Sequence, residues 1–470
     1  MDARYKKLTK NTIVYSLGIF GSKFVAFFLV PLYTNVLTQA EYGVADLITT
    51  ISGLLLPLFS LSLGESILFF GIRSKDEKTR DNYFKTGLLL VLATCLVLVL
   101  FSKLFLLYGS IREYVAFLIG YSILEIIRNY FRCFAKAQNK NLVYSIDCII
   151  YVVVIASFSI LFLLVMRYGI QGYLWAFIIA ELASIVFLAL FNKGVSKLFS
   201  ARFDESVAIE MLKYSLPLIL NSISWTIANQ SDKIMLDYLI SSESVGLYTA
   251  ASKIPTMLST IAGLFCQAWT ISTYLEISNQ DRNFYSKIFQ YFSFAMLLCC
   301  STVLVVTRPF MRVFVGAAFQ ESVIYVPLLV IATIFQSYAT YFGAIIQSSG
   351  KNLFMMISTV SSALINLVLN YFLIINFGIQ GACLSTAISF LAVFVMRYFF
   401  SKRSISFPTK PIKMAFSILL IVGEAIAVIC NYHCILIGLL VTLAVLVLNV
   451  NPIIDLFKFI SKKISKRKNA

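Results

Sequence analysis

The sequence predicts an all-α integral membrane protein, and three observations carry that prediction. Of its 470 residues, 59% are hydrophobic and only 13% charged, too little charge to clothe a soluble surface of that size. Apolar runs of about 18 residues or more recur from end to end, each long enough to cross a hydrocarbon core. The alternation over about ten residues that marks a membrane β-barrel is absent, which leaves helices to satisfy the backbone in lipid.

Fourteen spans follow: 12–36, 42–70, 86–108, 113–131, 142–166, 172–192, 213–240, 246–275, 288–311, 322–347, 353–376, 379–400, 414–431 and 434–454. The basic N-terminus MDARYKKLTK resembles a signal peptide. The apolar stretch after it is too long, contains Lys23 and lacks a small-residue cleavage site, so a retained first helix is predicted. The segments on the N-terminal side of the membrane hold 29 of the 39 Lys and Arg, and the opposite connections hold five. The positive-inside rule therefore predicts both termini in the cytoplasm. The net charge of +17 is spread over these flanks, which excludes a nucleic-acid arm and fits contact with membrane lipids.

An internal repeat organises the spans. RYGIQGYLWA (167–176) returns as NFGIQGACLS (376–385), and QNKNLVYSI (138–146) as SGKNLFMMI (349–357). YGVADLI (42–48) pairs more weakly with VGLYTAA (245–251). Spans 1–6 and 7–12 are thus read as two parallel six-helix repeats of one bundle. The expected parts are an N-terminal lobe at 1–200, a C-terminal lobe at 201–405, and two extra helices with a basic tail at 406–470. A parallel pair of this kind is a transporter architecture with its substrate site at the repeat interface.

Catalytic inventories come out empty. GAIIQSSGKN (343–352) has the wrong glycine spacing for a phosphate loop and Asn where Ser or Thr should follow Lys. CNYHC (430–434) holds the single His, and no two cysteines make a CxxC pair, so no metal site or cofactor is expected. The chain is not expected to be an enzyme.

Charge inside the spans is more informative. A Lys or Asp at the bilayer centre costs about 2.5–3.5 kcal/mol on insertion scales, so each should face a cavity or a partner. On a helical projection, Thr12, Ser16, Lys23 and Thr34 share one face of span 1, and Asp46 lies on a polar face of span 2. Span 7 places Asn221, Trp225, Asn229, Asp232 and Lys233 on one side, and span 8 aligns Thr249 with Lys253. These are equivalent helices of the two repeats, so their stripes predict a water-filled cavity. Its Lys residues suit an anionic group, phosphate above all. Asp46 and Asp232, with Glu65 as a third candidate, would balance the empty cavity or carry a coupling ion. Glu125, Asp147, Glu181 and Glu424 are read as structural. The turns at 37–41 and 241–245 occupy equivalent positions and should meet when the cavity opens to the cytoplasm.

The stretch YSLPLILNSISWTIANQSDKIMLDYLISSESVGLYTAASKIP (214–255) resembles the Wzx-type polysaccharide flippases of the multidrug/oligosaccharidyl-lipid/polysaccharide exporter superfamily. The resemblance rests on Ser215–Pro217, Asn229, Ser231–Lys233, Val245–Gly246, Tyr248, Ala251 and Lys253–Ile254, and on LYTNVLTQAEYGVADLI (32–48). It implies a V-shaped bundle, and a flippase that moves undecaprenyl-diphosphate-linked oligosaccharide units to the outer leaflet for O-antigen or capsule assembly. Alternating access driven by H+ or Na+ is implied too, with the glycan polymerase and chain-length machinery as partners. The family's cavity cation in span 7 maps onto Lys233. The chain departs from the family at SILFFGI (66–72), where Arg-Tyr is common, and at QAWTIST (267–273), which lacks a Pro. A peptidoglycan-precursor (lipid II) flippase and a drug/cation antiporter of the same superfamily are the alternatives.

Overall fold

The computed structural model describes Gly18 and residues 20–74, 76–192, 203–276 and 281–450. Among the described residues every regular element is helical. Thr12 and Ser16 lie outside them. We label the main helices α1 (Phe20–Val36), α2 (Gln39–Phe59), α3 (Leu63–Arg73), α4 (Glu77–Leu100), α5 (Val115–Ala137), α6 (Asn141–Ile160) and α7 (Gly169–Phe191). They continue as α8 (Glu205–Leu239), α9 (Ser242–Glu276), α10 (Arg282–Phe314), α11 (Val326–Ser348), α12 (Asn352–Lys402), α13 (Pro411–Cys430) and α14 (Cys434–Leu448).

Among the described residues every predicted span falls on helix, although two are divided or joined differently and several ends shift. Span 2 is two helices: Pro57 removes a backbone donor near the end of α2, and Leu61 (φ 48°) and Ser62 (φ 50°) then turn through the left-handed region. Spans 11 and 12 run as the single element α12, broken only at Gly378 (φ 59°). Nine helices among the described residues are long and apolar enough to cross a membrane. The long helices α5 and α8 fall outside that set, and they are the ones that carry Glu125, Arg128, Arg132, Asp232 and Lys233.

The repeat is visible in the backbone as well. Gly169 (φ 54°) and Gly378 (φ 59°) open the two GIQG segments, both with positive φ. Asn139 (φ 57°) and Gly350 (φ 73°) do so in the two KN segments. Residues with positive φ are few and favour Gly and Asn, so their recurrence at equivalent positions ties the sequence repeat to a structural one.

The chain forms two compact units. The first comprises Met1–Lys253, Val315–Phe319 and Ala363–Ala382. In it α7 packs on α5 and α6, α5 on α2 and α3, and α8 on α2. Buried ion pairs run through this core, Arg128 to Glu181 (2.7 Å) and Arg132 to Asp147 (3.2 Å).

The second unit comprises Ile254–Phe314, Gln320–Ser362 and Cys383–Ala470. Its core is aromatic: Trp269 stacks on Tyr341 at 4.6 Å, and Phe289, Tyr338, Phe342 and Phe394 close around them. The additional helices α13 and α14 are fastened to α10, where Ser301 Oγ donates to Glu424 (2.7 Å) and meets Thr442 (2.8 Å).

Candidate functional site

The site grows from the way α2 begins. Thr38 caps the helix and Glu41 reaches back to the Thr38 N–H (2.9 Å), a reciprocal capping box that fixes the first turn. One turn on, Gly43 meets the start of α9 without a side chain between them. A methyl group on Gly43 would overlap the Ser242 carbonyl, and one on Gly246 would overlap the Gln39 carbonyl. The contact is symmetric, since Gly43 and Gly246, like Gln39 and Ser242, are equivalent in the repeat. The turns at 37–41 and 241–245 therefore do meet. Segment 315–319 joins them: the Gly316 N–H donates to Thr34 (3.0 Å), and the Gln39 amide donates to the Ala318 carbonyl.

Three residues beyond each glycine, on the same helix face, stand Asp46 and Thr249, and they are bonded to each other (2.9 Å). Lys233 of α8 pairs with the same carboxylate at 2.6 Å, and Lys253 approaches it at 3.8 Å. Asp46 is 6% exposed while the Lys253 side chain is 28% exposed, so the acid is the buried centre and the cations are its accessible rim. Lys253 also lies 5.7 Å from the ring centre of Tyr42.

Lys23 completes the rim from α1. Its side chain is exposed, and Lys253, Arg132 and Lys233 all lie within its electrostatic reach. The structure thus brings together the three lysines singled out from the sequence. It adds Arg132, which sequence reasoning had grouped with the cytoplasmic-end cations of 132–141. Against these four cations stand Asp46 and Asp147, a surplus of two positive charges in one neighbourhood. A rim of accessible ammonium and guanidinium groups with that surplus is suited to phosphate oxygens.

Asp232 is organised differently. It is 1% exposed and accepts from Tyr248 Oη (2.7 Å), Asn366 Nδ2 (3.1 Å) and Asn370 Nδ2 (2.5 Å). Ser231 Oγ in turn donates to Asn366 (2.6 Å). Lys233, its neighbour in sequence, points to Asp46 instead.

The remaining candidates are not drawn into either cluster. Asn229 donates to the Trp225 carbonyl (2.7 Å), Asn221 and Trp225 are exposed on α8, and Glu65 is exposed in the first turn of α3 near Tyr214. Sequence reasoning missed Asn366 and Asn370. Their only signal was a four-residue spacing that puts both on one helical face.

Residues 8–270 match the profile of the family described as polysaccharide biosynthesis protein. A probable low-salt glycan biosynthesis flippase, Agl15, of Haloferax volcanii is 27% identical over 42% of this chain and 43% of its own. The Lsg locus putative protein 1 of Haemophilus influenzae is 23% identical over 54% of this chain and 62% of its own. The chain thus matches less than two thirds of the length of these curated relatives. Among solved structures, the lipid II flippase MurJ in an inward closed conformation superposes with a TM-score of 0.69 at 16% identity, covering 92% of this chain and 98% of its own. An inward-facing multidrug resistance transporter of the MATE family, within the MOP superfamily, gives 0.64 at 15% identity over 81% and 98%. At such identities these two establish a shared transporter fold.

Proposed function

The chain belongs to the polysaccharide biosynthesis protein family, and from that premise we propose that it is a flippase for lipid-linked oligosaccharide repeat units. The substrate is an undecaprenyl-diphosphate-linked oligosaccharide, carried from the inner to the outer leaflet of a bacterial inner membrane for surface polysaccharide assembly. One observation carries the reading: Lys233 and Lys253 hold the buried carboxylate of Asp46, and with Lys23 and Arg132 beside them four cations meet two carboxylates, Asp46 and Asp147, in one neighbourhood. In the resting protein Asp46 occupies the cations. A diphosphate can take its place among them, so binding costs less than opening an unbalanced charged cavity would.

The expected lobes, 1–200 and 201–405, with 406–470 appended, belong to this proposal, as do the cytoplasmic termini. So does alternating access coupled to H+ or Na+. Asp46 is the carboxylate whose partners change when substrate binds, and Asp232 is the candidate coupling group. Asn221, Trp225 and Asn229 remain candidates as lining residues, and Glu65 as a further ion-coupling candidate. A polymerase and chain-length machinery would receive the product.

The test is surface glycan in cells whose own copy has been deleted. Lys23→Ala and Lys233→Ala should each lower export at least tenfold at normal membrane abundance, and Lys→Arg at either position should retain more. Full export from both Ala variants would overturn the anion-cradle reading. A lipid II flippase uses the same diphosphate chemistry, and the deletion separates the two. Loss of surface glycan with continued growth supports the first reading, and arrest of wall synthesis with lysis supports the second. A drug/cation antiporter is disfavoured by the cationic surplus.

A further inference from the structure

A second group of ionisable residues lies in the first unit, behind the cation rim. Glu125, Arg128 and Arg132 follow one another at helical spacing along α5. Asp147 and Tyr151 face them from α6, Glu181 and Ser184 from α7, and Ser52 from α2. Asp147 and Glu181 are fully buried, Ser52 is 1% exposed and Arg128 7%. Glu125 and Arg132 are half-buried, and charge withdrawn from water to this degree favours balance.

The pairings leave one acid over. Arg128 takes Glu181 (2.7 Å) and lies 3.7 Å above the Tyr151 ring. Arg132 takes Asp147 (3.2 Å), which also accepts from Ser184. Two guanidinium groups thus serve two carboxylates, while Glu125 is held by the Ser52 hydroxyl at 2.6 Å. Tyr121, Arg128 and Arg132 are its charged or titratable neighbours on α5, with Tyr151 on α6 and Glu181 on α7. Three acids and two bases balance when one acid carries a proton.

We propose that Glu125 is a proton-binding site of the transport cycle, read out through its hydrogen bond to Ser52. Ser52 belongs to α2, six residues beyond Asp46. A protonated Glu125 leaves the core neutral and holds α2 against α5. An ionised Glu125 adds a negative charge beside Glu181 and draws on Arg128 and Arg132. Arg132 also lies within reach of Lys23, so an ionised Glu125 and an anion at the rim compete for the same guanidinium, and protonation of Glu125 releases it to the rim. This rests on the flippase reading for its purpose, but its chemistry can be tested without substrate.

The experiment is infrared spectroscopy of the full chain reconstituted in lipid vesicles, titrated from pH 5 to 9. The carbonyl band of protonated carboxyl groups should fall with rising pH in the wild type, and Glu125→Gln should remove that pH-dependent component. Other buried acids contribute equally to both proteins and cancel in the difference. A second readout follows α2: Gly53, next to Ser52, has open space where a side chain would begin. Maleimide labelling of Gly53→Cys, in a background without the native cysteines, should change severalfold across the titration. It should become pH-independent with Glu125→Gln or Ser52→Ala. An unchanged protonated band in Glu125→Gln, or labelling that still follows pH in both variants, would overturn the proposal. Both signatures as expected, with glycan export unchanged in Glu125→Gln, would count against the flippase reading instead.

Discussion

Asp46 and Asp232 lie in the same unit and both are buried, Asp46 on the second helix of one repeat and Asp232 on the first helix of the other. Their surroundings differ in kind. Asp46 is held by ammonium groups, Lys233 at 2.6 Å and Lys253 at 3.8 Å, with one hydroxyl. Asp232 accepts from a phenol and two carboxamides. Ammonium partners keep a carboxylate ionised and can be exchanged for another anion, which is what substrate binding asks of them. Neutral donors orient a carboxylate and favour its charged form without cancelling the charge. Burial is common to both residues. The donors divide their surroundings.

Removing each negative charge is the strongest way to test that division. Asp46→Asn leaves the cations of the rim facing one another. Deleting one partner of a buried pair costs about 3–5 kcal/mol, and the water-accessible Lys23 and Lys253 should keep the loss near about 3 kcal/mol. Asp232→Asn keeps the size of the side chain and turns one accepting atom into a donor facing other donors, a loss of about 1 kcal/mol. Thermal unfolding in detergent should therefore rank Asp46→Asn well below Asp232→Asn. Equal melting temperatures would erase the distinction. The double variant Asp46→Asn/Lys233→Gln should regain much of the lost stability, because Lys233 is bonded to Asp46. Asp232→Asn/Lys233→Gln should regain none.

That contrast also marks what the sequence could tell. Lys23, Lys233, Lys253 and Asp46 were legible because lipid makes a charge in an apolar run expensive, and a helical projection then shows its direction. The fourteen helices were legible for the same reason. Arg132 was not, because a cation near a helix end satisfies the positive-inside pattern whether or not it turns inward. The partners of Asp232 lie 134 and 138 residues away, and polar Asn on a helix carries too weak a penalty to announce a role. The division of span 2 at Leu61–Ser62 went unread because neither residue favours the left-handed backbone that tertiary packing imposes there. Asp46 meets Thr249 at an offset of 203, and the weak YGVADLI repeat had that same offset. Its physical content, two glycines allowing two helices to touch, needed coordinates.

The crossing provides a smaller perturbation of the comparison. Gly43→Ala must push the start of α9 away, and overpacking of this type costs about 1–3 kcal/mol. The displacement should loosen Asp46 from Thr249 and leave Asp232 and its amides alone. A Cys pair at Gln39 and Ser242, without the native cysteines, should crosslink readily and block export until reduced. Adding Gly43→Ala should slow that crosslinking severalfold. A crosslink that forms while export continues would show that the turns need not part during transport.

The smallest expected effect separates neutral donors from burial. Asp204, outside the membrane-spanning part of α8, also has neutral donors, but it stands at the surface. It caps α8 through the Ser206 hydroxyl (2.7 Å) and the Val207 N–H (3.3 Å), and it accepts from Asn82 (2.9 Å). These bonds, that of Ser206 foremost and Asn82 next, hold its carboxyl below the ordinary carboxylate value. The sign follows from linkage: a depressed pKa contributes stability in full above the unfolded value, about 3.9 for Asp, and loses it as pH falls through the folded value. Asn is as good an N-cap as Asp, so Asp204→Asn removes the charge and keeps the cap. The wild type should melt slightly higher than Asp204→Asn at neutral pH, and the gap should close below about pH 4. A gap that stays constant to the lowest pH reached would mean that neutral donors do not bias a carboxylate toward its charged form here, and the contrast drawn between Asp46 and Asp232 would lose its basis.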